Sequence, residues 1–401
     1  MSSAVSIHTL NETLASEHED RVDEKESDDD SEEETPDDSR SDETAVSPAA
    51  APRCIVRSEF WCQAERRYKR LYDYRTPQEL YDNLVHMLHL LYFRHVLVNP
   101  KERRVVVVES LLTPTLFRET LAKVLFIHYE VSGALWVDSG RASALTLAAP
   151  VVLVVSIGAR DAEVTAVVHG CPVLRALQSQ PLGARAVNAE LARLLDEDNG
   201  RELHLSDDVL DDIKVRACFV PGREAALRWA ERGVPADVRE TRRGADVLVS
   251  RRARALAAEP LFARDNDLAS LPDIVLQCIV QCPIDARRSL AGSVLVTGGG
   301  AALPGLRARL AQELRHLADQ PPYKERLREL EFKFHSAPAH ENSVAWVGGA
   351  LCGAACAGGG AGGGGEGRGV SRETYARTRR LRDWACLLHN TPPSHPHWDM
   401  Q

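Results

Sequence analysis

Hydrophobic and polar positions set the first division of this chain. Through residue 50, large apolar residues are almost absent after Leu14. From about Arg53 onward they recur at two periods, one near 3.6 and one near 2. Thr76-Pro77-Gln78-Glu79 gives a cap, a proline in the first turn and a glutamate behind it, and Leu80, Leu84, Leu88 and Leu91 follow at helical spacing. The valine run 105–108 predicts a strand covered on both faces. Thr113-Pro114 opens a second helix with Phe117, Leu121, Val124 and Leu125 along one side. Residues 133–137 and 151–155 read as further buried strands. Residues 164–168 and 171–174 flank His169-Gly170 as a hairpin. Helices are expected at 184–195, 207–218 and 271–281. A strand at 294–296 runs into Gly298-Gly299-Gly300, and Pro304 begins a helix to about 317. A strand at 331–334, an apolar helix from 342 to about 355 and a short polar helix at 371–380 complete the pattern. Strands alternating with helices predict an α/β fold.

With 401 residues, two lobes are the natural division, and a 44% apolar composition supports sizeable cores. No stretch is apolar for the length a spanning helix requires. The amino terminus lacks a basic-then-apolar leader pattern, so an intracellular chain is expected. The net charge of −9 is unevenly placed: residues 17–43 hold 16 acidic and 3 basic residues, a net of −13, and the remainder is +4. The body carries no basic stripe of the kind nucleic acid requires. Residues 1–52 bury too little apolar surface to offset ordering and are expected to be a disordered acidic tail. Within it, Ser27 and Ser31 precede acidic triplets that suit an acid-directed kinase. Residues 357–369 are mostly glycine and read as a linker.

The nine cysteines follow no secreted framework and read as reduced thiols. Cys278/Cys282 and Cys352/Cys356 have one-face helical spacing, but neither pair has the second couple that a zinc finger needs. Asp138, Ser139 and His128 offer a hydrolase set without a nucleophile elbow. His389, His395 and His397 sit in a proline-containing tail with no scaffold for a metal. The arginines of 239–254 read as a solvated loop and helix face.

The order of elements and several stretches resemble the actin family. LVNP (97–100), the strand 105–109 and FRETL (117–121) look like the strand–proline–helix segment of that family's first lobe. DIK (212–214) with CFV (218–220) resembles the helix at the base of the second lobe. VLVTGGGAALPG (294–305) is similar to the glycine turn on the adenosine side, NSVAWVGGALCG (342–353) to the returning helix, and SRETY (371–375) to the carboxy-terminal motif. Residues 88–112 and 279–300 look most like the subgroup found at the pointed end of dynactin. The resemblance covers about residues 53–390. It implies a two-lobed actin-like fold of ribonuclease-H-like repeats, with the first lobe at 53–150 incomplete. The second lobe is expected at 151–340, a return to the first at 341–390, and a tail at 391–401. The family's strands before Arg53 are replaced by the acidic tail, so either the first lobe is rearranged or the amino terminus is an alternative one.

Members of that family hold ATP between lobes on two Asp-x-Gly hairpins, whose backbone N–H groups surround phosphates while carboxylates hold metal-bound water. Residues 1–52 contain no such turn. In the second hairpin Gly158 remains, but Ser156 stands at the aspartate position and Ala159 follows the glycine. The stretch Asp138–Arg141 lacks the family's water-positioning glutamine. A serine hydroxyl brings no charge to a divalent cation. Lys214 matches a cofactor-binding position, although Val215 replaces the adjacent acid. Lys214, Gly298, Gly299 and Gly300 are therefore expected as a degenerate remnant of the nucleotide cleft, with no catalytic residues, metal or required cofactor.

The resemblance thus implies a non-enzymatic structural subunit in the cytoplasm and cytoskeleton. Its partners would be dynactin's filament and pointed-end proteins and, indirectly, dynein. A nuclear chromatin-remodelling subunit and an actin-superfamily ATPase are the alternatives. Residues 342–353 are expected either to face a neighbouring subunit or to pack between lobes.

Overall fold

The computed structural model describes residues 6–9, 59–62, 67–72, 74–235, 247–264, 269–327, 330–358 and 369–381. The chain divides into two compact units, Asn11–Val98 on one hand and Met1–Leu10 with Asn99–Gln401 on the other. A first strand, β1 (Ser6–Thr9), belongs to the larger unit.

The smaller unit contains an antiparallel hairpin, β2 (Glu59–Cys62) and β3 (Arg67–Arg70), with Trp61 in register with Tyr68. Helix α1 (Pro77–Leu90) starts as its sequence predicts: the Thr76 hydroxyl accepts from the Glu79 N–H at 3.1 Å, and Pro77 occupies the first turn. Leu80, Leu84 and Leu88 form its buried stripe. The helix continues in π-helical turns over Leu91–Val96 and ends at Leu97, whose φ is 57°.

The larger unit carries two sheets. In the first, β4 (Arg104–Glu109) buries all four of its valines. Helix α2 (Thr115–Lys123), prolonged by π-helical turns over Val124–His128, leads to β5 (Gly133–Asp138), which runs parallel to β4. Phe117, Leu121, Val124 and Leu125 are buried, as their spacing predicts. Asp138 then caps α3 (Ser139–Leu145), a helix too short and small-residued to show in the pattern.

The second sheet begins with β6 (Val151–Ile157) and β7 (Ala162–Val168), antiparallel to each other. The turn His169-Gly170, with both φ angles positive, leads into β8 (Cys171–Pro172), and β9 (Gln178–Gln180) also pairs with β7. Next come α4 (Ala184–Asn199), α5 (Asp207–Ala217), α6 (Arg223–Arg232) and α7 (Arg251–Leu256). They are followed by α8 (Leu271–Gln281) and α9 (Ile284–Ala291). Strand β10 (Val294–Thr297) lies parallel to β6, on the side away from β7. Helix α10 (Leu306–Ala318) starts two residues after Pro304, because the Pro304 carbonyl accepts from the Val220 N–H at 2.8 Å and Gly305, at φ 86°, makes the turn. The chain then returns to the first sheet through α11 (Val344–Gly358), β11 (Val370–Ser371) and α12 (Arg372–Thr378).

The first sheet has the order β1-β4-β5-β11, with both outer strands antiparallel. The second has the order β10-β6-β7-β8. One face of the second sheet holds the main core, where Leu153, Val155, Val164 and Val294 meet Leu191, Leu195, Ile274 and Leu310. Its other face packs Val152, Val154 and Leu295 with Ala144 and Val344. Val106, Val108 and Val137 of the first sheet gather with Ala142 and Ala345. Helices α3 and α11 thus lie between the sheets and belong to both cores. Their approach depends on glycine: a Cβ on Gly348 would lie 1.8 Å from the Ala142 carbonyl oxygen, and one on Gly349 would lie 2.4 Å from Val108 Cγ2.

Three expectations change. The strand expected at 331–334 contracts to one bridge, Phe334 with Val294. There the Lys333 N–H bonds the Ala291 carbonyl at the end of α9, and the Lys333 carbonyl and the His335 N–H both bond Val294. Within the acidic tail expected to lack structure, Ser6–Thr9 forms a strand in register with Val105–Val108. Strand β4 would otherwise be an edge of unpaired backbone groups. Val370–Ser371, between the end of the expected linker and the start of the expected polar helix, is also a strand. The remaining tail, Ser27, Ser31, residues 51–58 and the expected carboxy-terminal tail lie outside the described residues, as do 359–368 of the glycine-rich stretch.

Candidate nucleotide cleft and the seam between the sheets

The parallel strands β4 and β5 end side by side, with Glu109 in register with Asp138. The carboxyl ends of parallel strands are where α/β folds commonly place ligands. Here the first of those side chains is engaged by the protein itself. Glu109 is buried and ion-paired to Arg118 of α2, Nε to Oε1 at 2.7 Å. Asp138 is also buried, and its Oδ2 accepts from the Arg141 N–H at 2.7 Å as the cap of α3. Burial pushes the Asp138 carboxyl above its ordinary range, against the pull of the Arg141 and Gly140 N–H groups.

Glu163 of β7 brings a third carboxyl to the same place. Its Oε2 accepts from the Ser110 hydroxyl, just beyond β4, at 2.6 Å. This bond crosses from one sheet to the other. Burial, with the charges of Asp138 and Asp161 adding to it, lifts the Glu163 carboxyl to about 7, although the Ser110 bond works the other way. Sequence reasoning missed both Glu163 and Ser110. The available signal was a glutamate alternating with Ala162 and Val164 in a buried strand.

The hairpin after β6 is held by α4. The Gly158 N–H bonds the Asp161 carbonyl, and the carbonyls of Gly158 and Ala159 accept from Ala184 and Arg185. Gly183 permits this contact, since a Cβ there would meet the Ala159 and Arg160 carbonyl carbons at 2.6 and 2.5 Å. Ser156 is in register with Thr297 on β10, so the glycine triplet follows directly beside the β6 end. Gly298 adopts φ 90°, and a Cβ on it would lie 2.4 Å from the Ile157 carbonyl oxygen. A Cβ on Gly300 would lie 2.4 Å from Ile157 Cγ2, whereas Gly299 faces open space. Two of the three glycines are therefore required by chain-on-chain contact. Only Gly299 leaves room for something else.

Lys214 belongs to a network of its own. It is 9% exposed, and its Nζ donates to Asn188 Oδ1 at 2.8 Å and to Asp211 Oδ1. Asn188 Nδ2 also donates to Asp211 Oδ1, at 2.9 Å. This ties α4 to α5 and engages the ammonium internally. The structure joins the triplet to the β6 end through Ile157 and places Lys214 on the α4–α5 face.

The other candidates disperse. His128 precedes β5, whereas Asp138 ends it and Ser139 follows, so a strand of about 20 Å separates the histidine from the other two members of the hydrolase set. Among the described residues, no group of three or more His, Cys, Asp and Glu side chains is arranged to hold a metal. Cys278 and Cys282 are buried, and a hydrogen bond from Cys278 lowers the Cys282 thiol. Of the arginine cluster, Arg252 pairs with Glu197 and Asp198, and Arg254 Nε donates to the Ala217 carbonyl. Residues 239–246 and the terminal histidines lie outside the described residues. No helix among the described residues is long and apolar enough to cross a membrane.

Residues 79–356 match the sequence model of the family described as Actin. Among characterised proteins, the chain is 23% identical to Actin-related protein 10 of Dictyostelium discoideum, over 69% of this chain and 67% of the relative. It is 24% identical to Actin-related protein 6 of Drosophila melanogaster, over 62% and 70% of the two chains. It is also 24% identical to Actin-like protein 7A of Mus musculus, over 71% of this chain and 61% of that one.

Proposed function

The chain belongs to the actin family, and from that membership we propose that it is a non-catalytic, actin-related structural subunit of the pointed-end complex of dynactin. In that role it works in the cytoplasm beside the actin-like filament subunit and the pointed-end proteins, and supports dynein-driven transport along microtubules. The likeness to an Actin-related protein 10 supports this reading, as do residues 88–112 and 279–300, which carry the subgroup's pattern.

One observation carries the non-catalytic part. Ser156 stands near the end of β6, in register with Thr297, where the family motif places a metal-anchoring aspartate. Phosphoryl transfer needs a positioned nucleophile and charge opposite the phosphoryl group. Ser156 supplies no such charge, and the Lys214 ammonium is bound to Asn188 and Asp211.

Affinity purification of the full chain with mass spectrometry tests the assembly. Recovery of dynactin subunits is the expected outcome. Recovery of chromatin-remodelling subunits in their place would transfer the chain to the nuclear alternative. Purified protein with ATP and magnesium should release no phosphate above a buffer control. Steady release that disappears in Lys214→Ala would restore the ATPase reading.

A further inference from the structure

The bond between Ser110 and Glu163 is an unusual way to join two sheets. It is a side-chain contact between the segment following β4 and strand β7, and it sits among buried acids. Asp138 Oδ1 and Glu163 Oε1 are both buried and make no hydrogen bond among the described residues. The two groups are close enough for the Asp138 charge to act on Glu163. Packing places Asp138 against β7: a Cβ on Gly140 would lie 3.3 Å from Asp138 Oδ2 and 3.0 Å from Thr165 Cβ. Thr165 lies two residues beyond Glu163, on the same face of the strand.

Two ionised carboxylates with bare oxygens are a costly arrangement in a buried seam, and a proton on one of them lowers the cost. We propose that Glu163 is a proton-controlled fastener between the two sheets. In the protonated state, Oε2 receives the Ser110 hydroxyl and Glu163 sets no charge against Asp138. Loss of that proton leaves the Ser110 bond in place but sets two carboxylates against each other across the seam. No other co-reactant is needed, since the proton comes from solvent.

The surrounding groups fit this role. Asp161 faces Glu163 from its own hairpin turn and Asp138 from the β5–α3 junction. Ser156 on β6 and Ser179 on β9 stand in register with it and are uncharged. Arg141 is the cation that acts on Asp138. Glu109, in register with Asp138, is already neutralised by Arg118. The position of Glu163, about 7 when folded against an ordinary 4.5, agrees with an acid that changes state near neutrality. A carboxyl raised on folding gives stability that is complete below its unfolded value and declines as pH rises through its folded value. The seam is therefore tightest on the acid side of neutral.

The test compares the purified full chain with Glu163→Gln and Asp138→Asn by thermal unfolding from about pH 5 to about pH 8. Glutamine keeps the contact to Ser110 and cannot ionise. The wild-type melting temperature should fall relative to Glu163→Gln by about 2–4 °C as pH approaches 7, and then run parallel to it. Asparagine remains a good helix cap but removes the neighbouring charge, so Asp138→Asn should move the wild-type fall to lower pH. Parallel curves throughout, or a fall that Asp138→Asn leaves in place, would overturn the proposal. Infrared difference spectra of glutamate-labelled wild type give a second readout, should Glu163→Gln not fold. A protonated carboxyl band present near pH 6 and lost near pH 8 is expected, and its absence at the lower pH refutes the fastener. None of these outcomes depends on which assembly the chain joins.

Discussion

Arg309 on α10 is 4% exposed and meets two acids: Glu259 at 3.0 Å and Glu313 at 2.8 Å. It also donates to the Pro221 carbonyl at 3.1 Å and stacks over Phe262 at 4.7 Å. A buried cation satisfied on all sides is costly to remove, since its acids keep their charge without it. Arg309→Met should lower stability by about 3–5 kcal/mol in urea unfolding. Arg193 makes a useful contrast. It pairs with Glu190 and Glu197 but is half exposed on α4, and water screens such pairs. Arg193→Ala should change stability by less than about 1 kcal/mol. Lys214 belongs with the buried class: the residue that sequence likeness assigns to a cofactor has its ammonium held by Asn188 and Asp211. The partners that decide this, Asn188 and Asp211, lie on two helices that periodicity alone does not bring together.

Helices α3 and α11 show what small residues do for an element. Gly348 has no room for a methyl group against Ala142, so Gly348→Ala should force the helices apart and cost about 1–3 kcal/mol, visible as a lower melting temperature. Much of the element pattern was legible beforehand. Thr76 and Pro77 mark the start of α1, the valines 105–108 mark β4, and the 271–281 helix matches α8 residue for residue. The returning helix was also visible, but its glycines were legible only as composition, since the need for them comes from Ala142 and Val108 on distant elements. Helix α3 and strands β1 and β11 escaped because short segments hold few periods. At the site, the Ser156 substitution and the glycine triplet were visible in the sequence. The Ser110–Glu163 bond was not, since residues 53 positions apart meet only when two sheets close.

At the scale of the whole larger unit, two sheets are held by the helix pair between them, by the chain's return through β11, and by the Glu163 seam. Helices α3 and α11 contribute residues to both cores. Damage to either helix should weaken both sheets together, and the unit should unfold as one.

Strand β1 is joined to β4 through the long span between Thr9 and Arg104, yet it is only four residues long. Closing so long a loop has an entropic cost, so this strand should be among the first to detach when conditions weaken the fold. Each detachment bares a β-branched ribbon, ready to recruit residues 6–9 of another molecule or to stack on itself. Deleting residues 1–10 should make that state permanent, with light scattering that rises with protein concentration while the intact chain stays clear. A deletion protein as clear as the intact one would mean that the ribbon is guarded by something besides β1.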